Sequence, residues 1–167
     1  IRFFYTQALK RLDIATAIPP RRKSQRLPHV LSVEEVERLL SSPDDPLHRA
    51  VLMTVYAAGL RVSEVVRLQP TDLDRDRLMI RVEQGKRRKD RYTILSPRLL
   101  TVLDQYGASR PLTRWLFPAR RGEQPMSPRT VRDVFETAKT RADIQKPGSI
   151  HLLRHAFATH LLDGPCH

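Results

Sequence analysis

From Leu47 to Ala58 the chain is apolar enough to form a buried helix. A helix without a wide polar face needs other elements around it, so this run constrains the fold more than any other segment. Gly59 directly behind it suits a C-terminal stop, which puts Arg61 at a helix junction.

The segments on either side supply the shell. Ser32-Val33-Glu34-Glu35 is a capping-box pattern that starts a helix running through Leu40. Ser42-Pro43-Asp44-Asp45-Pro46 is a loop. Val62, Val65, Val66 and Leu68 suit a short helix packed on the core. Ser96-Pro97 and Ser127-Pro128 each pair an N-cap with a first-turn proline, predicting helices near 97–106 and 128–142. A last helix is predicted from Ser149 to Leu162. Leu78 to Val82 and Tyr92 to Leu95 read as short strands. Trp115-Leu116-Phe117-Pro118 reads as core. The expected fold is mainly α with a small antiparallel β-hairpin or three-stranded sheet, an α+β domain without internal repeats.

Length and charge bound the function. The 167 residues suit one domain, or one domain with a fragment of another, and 40% hydrophobic content supports an ordinary core. Thirty Lys and Arg against 18 Asp and Glu leave a net charge of +12, which a polyanionic partner would explain. The single Cys166 excludes an internal disulfide and leaves no cysteine cluster for zinc. No apolar run reaches membrane-span length and no signal peptide is visible, so a cytoplasmic location is expected. The chain starts at Ile1, which predicts that its natural N-terminus is missing. Ile1 to about Ile14 reads as a helix with Phe4, Ala8, Leu9 and Leu12 on one face. Pro19 to Pro28 is a basic, proline-rich linker, and its Arg21, Arg22 and Lys23 suit either a solvated tether or a DNA backbone.

Candidate chemistry rests on two arginines far apart in sequence, Arg61 and Arg154. A guanidinium is a planar fork that matches two phosphate oxygens and keeps its charge. His151 and Arg154 are one helical turn apart and share a face, with Leu152, Leu153, Phe157 and Leu161 expected on the opposite, buried side. Taken alone, H-x-x-R is a weak signal that a surface or helix-capping role explains better. Arg61 can pair with Glu64 or bind phosphate, and Glu64 can orient it for the latter. Lys86 follows Gly85 at a basic hairpin tip and can either contact phosphate or give a proton to a leaving alkoxide. Arg87, Arg88, Lys89 and Arg91 read as contacts to a DNA backbone. His155 and His160 read as structural, satisfying buried hydrogen bonds, and no carboxylates accompany them at metal-site spacing.

The strings Y-A-A-G-L-R-V-S-E, G-K-x-x-K-x-R and H-x-L-R-H-x-F-A-T-H-L, in that order, resemble the tyrosine recombinase (phage integrase) family, above all its Xer-type and integron-type members. The resemblance spans about Leu31 to Leu162, with Pro28-His29-Val30-Leu31-Ser32 similar to the family's entry into its catalytic domain. It implies three parts: 1–18 as the last helix of an N-terminal DNA-clamping domain, 19–30 as linker, and 31–167 as a catalytic domain. It also implies roles. Arg61 binds the scissile phosphate, Lys86 is the general acid, and His151 and Arg154 complete the clamp, with Glu64 and His155 in support. In the family a tyrosine attacks phosphorus without a metal or other cofactor. The implied partners are double-stranded DNA and further recombinase protomers, a tetramer in the parent enzyme, on the bacterial nucleoid.

One part of the family pattern is missing. The tyrosines are Tyr5, Tyr56, Tyr92 and Tyr106; none follows Arg154, and Pro165-Cys166-His167 departs from the family's continuation. The expectation is a catalytic domain cut short before its second histidine and its nucleophile, which binds DNA and cradles a phosphate without cleaving alone. A tyrosine supplied by a neighbouring protomer would complete the site. The alternatives are a non-catalytic DNA-binding module or inhibitor on the same scaffold, and a type IB topoisomerase-like enzyme.

Overall fold

A computed structural model describes residues 29–83, 90–109, 113–120 and 124–163. The predicted N-terminal helix, the linker cations Arg21, Arg22 and Lys23, the hairpin-tip residues Lys86, Arg87, Arg88 and Lys89, and Cys166 lie outside the described residues.

The apolar run forms helix α2, Pro46–Ala57, after helix α1, Val33–Ser41. Asp45 caps α2 by accepting from the Leu47 amide at 2.8 Å, and Pro46 occupies the first turn. Ala50, Val51, Leu52, Met53, Thr54 and Val55 are all buried. The one polar member, Thr54, donates to the Ala50 carbonyl at 2.8 Å and so carries no unpaired hydroxyl into the core. A four-residue helix α3, Val62–Val65, follows the Arg61 junction. Strands β1 (Leu73–Asp74), β2 (Met79–Val82) and β3 (Arg91–Ile94) form a three-stranded antiparallel sheet in that order. Ser96 caps α4, Pro97–Ala108, and Ser127 caps α5, Pro128–Arg141, as the Ser-Pro pairs predict. Helix α6, His151–Asp163, closes the fold. Helix α2 lies at the centre, packed on α1, α4, α5 and α6. The outer elements add Val36, Leu39, Leu99, Phe135, Leu153 and Ala156 to the same buried core.

Two stitches hold α6 to the entry of the domain. Lys146, in the loop before α6, donates to the Val30 carbonyl at 2.8 Å and to Glu35 at 2.6 Å. His160 bridges the Leu31 carbonyl and the Tyr56 hydroxyl, each at 3.0 Å. The predicted structural role of His160 thus has its partners.

Two expectations on α6 fail, both through helical phase. Leu161 is 47% exposed and Leu162 86%. Leu161 lies two turns after Arg154, so it shares that residue's side and does not oppose it. His155 is exposed, and among the described residues it makes no buried hydrogen bond, because it points away from the face that Leu152, Leu153 and Ala156 bury. In the expected core segment, Leu116 and Phe117 are buried while Trp115 is only partly so, with the Arg114 guanidinium 5.1 Å from its ring centre. Among the described residues no helix is long and apolar enough to cross a membrane.

Candidate functional site: arginines around one carboxylate

The turn after α2 begins the site. Gly59 has φ +60°, a left-handed conformation that side chains resist. Its missing Cβ matters as much: an atom there would lie 2.5 Å from Phe157 Cδ1 on α6. The chain therefore turns directly against α6 and delivers Arg61 to the start of α3. Thr93 on β3 donates to the Ala58 carbonyl at 2.9 Å, fastening the sheet to the same turn.

Glu64, the third residue of α3, reaches back to this junction. Its Oε2 accepts the Arg61 backbone N–H at 2.7 Å, and its Oε1 accepts Arg61 Nη1 at 3.0 Å. Oε2 also accepts Arg91 Nη2 from β3 at 2.8 Å. Arg154 Nη1, from the second turn of α6, stands 4.0 Å from that same oxygen. Three guanidinium groups from three elements thus surround one carboxylate. The Glu64 side chain is 11% exposed, against 57% for Arg61. The carboxylate forms the floor and Arg61 faces outward.

The floor is ionised. Burial pushes the Glu64 pKa up, but the Arg61 backbone N–H, the hydrogen bond and charge of Arg91, and the Arg61 side chain outweigh it and hold the group below its ordinary value. One negative charge against three positive ones leaves the site cationic. One donor is also left over: Arg154 Nη1 is buried and has no hydrogen-bond partner among the described residues. A buried guanidinium N–H without an acceptor is costly, and an anion seated beside Arg61 and Arg154 would relieve it.

The structure thus brings Arg61, Glu64 and Arg154 together, as the sequence suggests. His151 is exposed at the first position of α6, one turn before Arg154. Arg91, read in the sequence with the hairpin cations as a backbone contact, turns its guanidinium onto Glu64. The signal lay in the two-residue period of β3. Arg91 and Thr93 share the face turned to the α2–α3 junction, while Tyr92 and Ile94 are exposed on the other. A second fork escaped sequence reasoning altogether. Arg81 on β2 donates to Asp72 Oδ1 through Nε at 3.1 Å and Nη2 at 2.8 Å, tying the sheet to the turn before β1.

Comparison with known proteins bears on this geometry. The profile of the phage integrase family matches residues 29–164. "Putative integrase/recombinase y4qK" of Sinorhizobium fredii is 44% identical over 164 residues, covering 98% of this chain and 53% of its own length. "Tyrosine recombinase XerD" of Mycobacterium tuberculosis is 36% identical over 180 residues, with 98% of this chain and 57% of that protein aligned. The chain thus spans little more than half the length of these relatives. Among solved structures, XerA recombinase superposes with a TM-score of 0.76 at 27% identity, covering 96% of this chain and 66% of that one. XerH site-specific recombinase bound to a palindromic difH substrate, in a post-cleavage complex, shares the fold at a TM-score of 0.73 and 23% identity, with 85% of this chain and 44% of that one covered.

Proposed function

The chain belongs to the phage integrase family, and from that premise we propose that it is the phosphate-clamping part of a site-specific DNA recombinase. The observation that carries this is the convergence of Arg61 and Arg154 on Glu64, with a buried Arg154 N–H left open among the described residues. Arg61 and Arg154 take the non-bridging oxygens of a phosphodiester, and His151 adds a donor from the same helix. Fixed forks spread the charge that builds on phosphorus as a nucleophile approaches. A tyrosine oxygen, releasing its proton to water, bonds to phosphorus, the bond to the 5′ oxygen breaks, and Lys86 gives the departing oxygen its proton. The 3′-phosphotyrosyl link keeps the phosphodiester's energy for rejoining to another strand.

Residues 31–167 are the catalytic part in this proposal, 19–30 a linker, and 1–18 the end of a DNA-clamping domain. Arg21, Arg22, Lys23, Arg87, Arg88 and Lys89 neutralise backbone phosphates of double-stranded DNA, in the cytoplasm and among other protomers. No tyrosine follows Arg154 in these 167 residues, so a polypeptide of this sequence binds DNA without cutting it. The test is a nicked suicide duplex carrying a short inverted repeat. We expect salt-sensitive binding and no covalent adduct from this polypeptide alone. An adduct would overturn the non-cleaving clause, and binding indifferent to salt would overturn the clamp. Adduct restored by a full-length relative lacking both clamp arginines would show that the tyrosine arrives from a neighbour; binding with no adduct in any mixture would leave a pure DNA-binding module.

A further inference from the structure

We propose that Arg91 is a positioning residue: by occupying Glu64 Oε2 it keeps the buried N–H of Arg154 free for the phosphate. The proposal rests on the clamp described above and adds a residue to it. A carboxylate oxygen has about two favourable directions for accepting hydrogen bonds. On Oε2 both are taken, by the Arg61 backbone N–H at 2.7 Å and by Arg91 Nη2 at 2.8 Å. Arg154 Nη1 stands off at 4.0 Å, charged toward the same oxygen yet unbonded among the described residues. Removing Arg91 vacates one of those directions. Arg154 then has a buried anionic acceptor within a small side-chain movement, and a charge-assisted hydrogen bond would draw it in. The clamp would close on its own carboxylate and lose a donor that the phosphate needs.

Arg91 is suited to this by its place in the sheet. It begins β3, paired with Val82 on β2, and its neighbour Thr93 is fastened to the Ala58 carbonyl. Its side chain is 32% exposed and that of Glu64 11%, so it reaches the buried carboxylate from the rim of the site. Arg91 also joins the start of the strand after the hairpin to the floor of the clamp. It acts on the two arginines through Glu64, the carboxylate to which it is bonded.

Arginine side-chain NMR of the 167-residue polypeptide, with inorganic phosphate as probe, tests this in two independent readouts. Without phosphate, Arg91→Ala should shift the Arg154 guanidinium signals downfield and slow their exchange as Arg154 bonds to Glu64. On titration, phosphate affinity should fall on the order of tenfold. Arg91→Lys, which keeps a donor for Oε2, should restore most of both. In a Glu64→Gln background Arg91→Ala should change little more. Unchanged Arg154 signals in Arg91→Ala would overturn the proposal, whatever phosphate does. So would a lysine variant that melts like the parent but leaves Arg154 locked. If Arg91→Ala fails to fold by circular dichroism, the lysine and Glu64→Gln variants decide alone. Weak phosphate binding by the parent, with Arg154 nevertheless locking in Arg91→Ala, would count against the clamp's proposed ligand and in favour of the positioning role.

Discussion

Glu35 and Glu64 occupy the same place in two helices and do different things. Each is the third residue of its helix and accepts the backbone N–H of its own N-cap residue at 2.7 Å. Each also accepts from a distant cation: Lys146 at 2.6 Å in one case, Arg91 at 2.8 Å in the other. In both, burial raises the pKa, hydrogen bonds and cation charge lower it, and the lowering wins. The difference is the residue at the cap. Ser32 returns a hydroxyl to the Glu35 amide at 3.3 Å, and its lock closes on itself. Arg61 has no such acceptor, so its side chain donates to Glu64 and adds a positive charge. Arg154 adds another at 4.0 Å. One capping geometry gives a satisfied corner with serine and a cationic site with arginine. What changes the outcome is a single side chain at the N-cap, together with the cations gathered around the carboxylate.

Removing each carboxylate is the largest test of this contrast. Glu64→Ala strands three guanidinium groups together and should lower stability by about 3 kcal/mol, less where solvent screens Arg61. It should also weaken phosphate binding several-fold, since both clamp arms lose their common anchor; denaturant melts and a phosphate titration check the two effects. Next, Gly59→Ala should cost about 2 kcal/mol, from a left-handed backbone and a clash with Phe157. It should reduce phosphate affinity as well, whereas a loss of stability alone would mean that the Arg61 site does not depend on its contact with α6. Glu35→Ala should cost about 1 kcal/mol and leave phosphate binding untouched, because Lys146 keeps the Val30 carbonyl and water. Equal effects of the two Glu→Ala changes on phosphate would dissolve the contrast.

The smallest effect is a pH dependence. Both carboxylates titrate below their ordinary value of 4.5 when folded. Their stabilisation is present above that value and is lost as pH falls below it. Melting temperature should hold from neutral pH to about 4.5 and drop below it. Glu64→Gln should flatten the drop more than Glu35→Gln, and thermal melts across that range decide. A reversed order would mean that Lys146 contributes more to its carboxylate than the arginines do to theirs.

The helices were legible wherever their signal was local. Ser32, Ser96 and Ser127 announce their caps by type and spacing, and the apolar run of α2 announces its burial. Arg61 and Arg154 could be singled out because the surrounding strings resemble a known pattern. Arg91 was grouped with the hairpin cations because a charge run looks uniform in sequence. Only pairing with β2 and the two-residue period show that its side chain turns to the α2–α3 junction. Leu161 and His155 were misplaced because being apolar or imidazole does not say which way a residue faces. The phase set by Leu152, Leu153 and Ala156 does. The Arg81–Asp72 fork was invisible because it joins a strand to a short turn, with no periodic pattern to align them.

Phe157 lies one turn beyond Arg154 and occupies the volume where a side chain on residue 59 would begin. Where the turn that leads to Arg61 meets the helix that carries Arg154, the contact is therefore a single benzene ring against a backbone without a side chain. A larger residue 59 has no room while Phe157 stays in place. A smaller residue 157 would relieve that clash but not the left-handed backbone at 59. The pair should be inherited, swapped or engineered as one heritable unit, and Gly59→Ala with Phe157→Leu is the first double substitution to make.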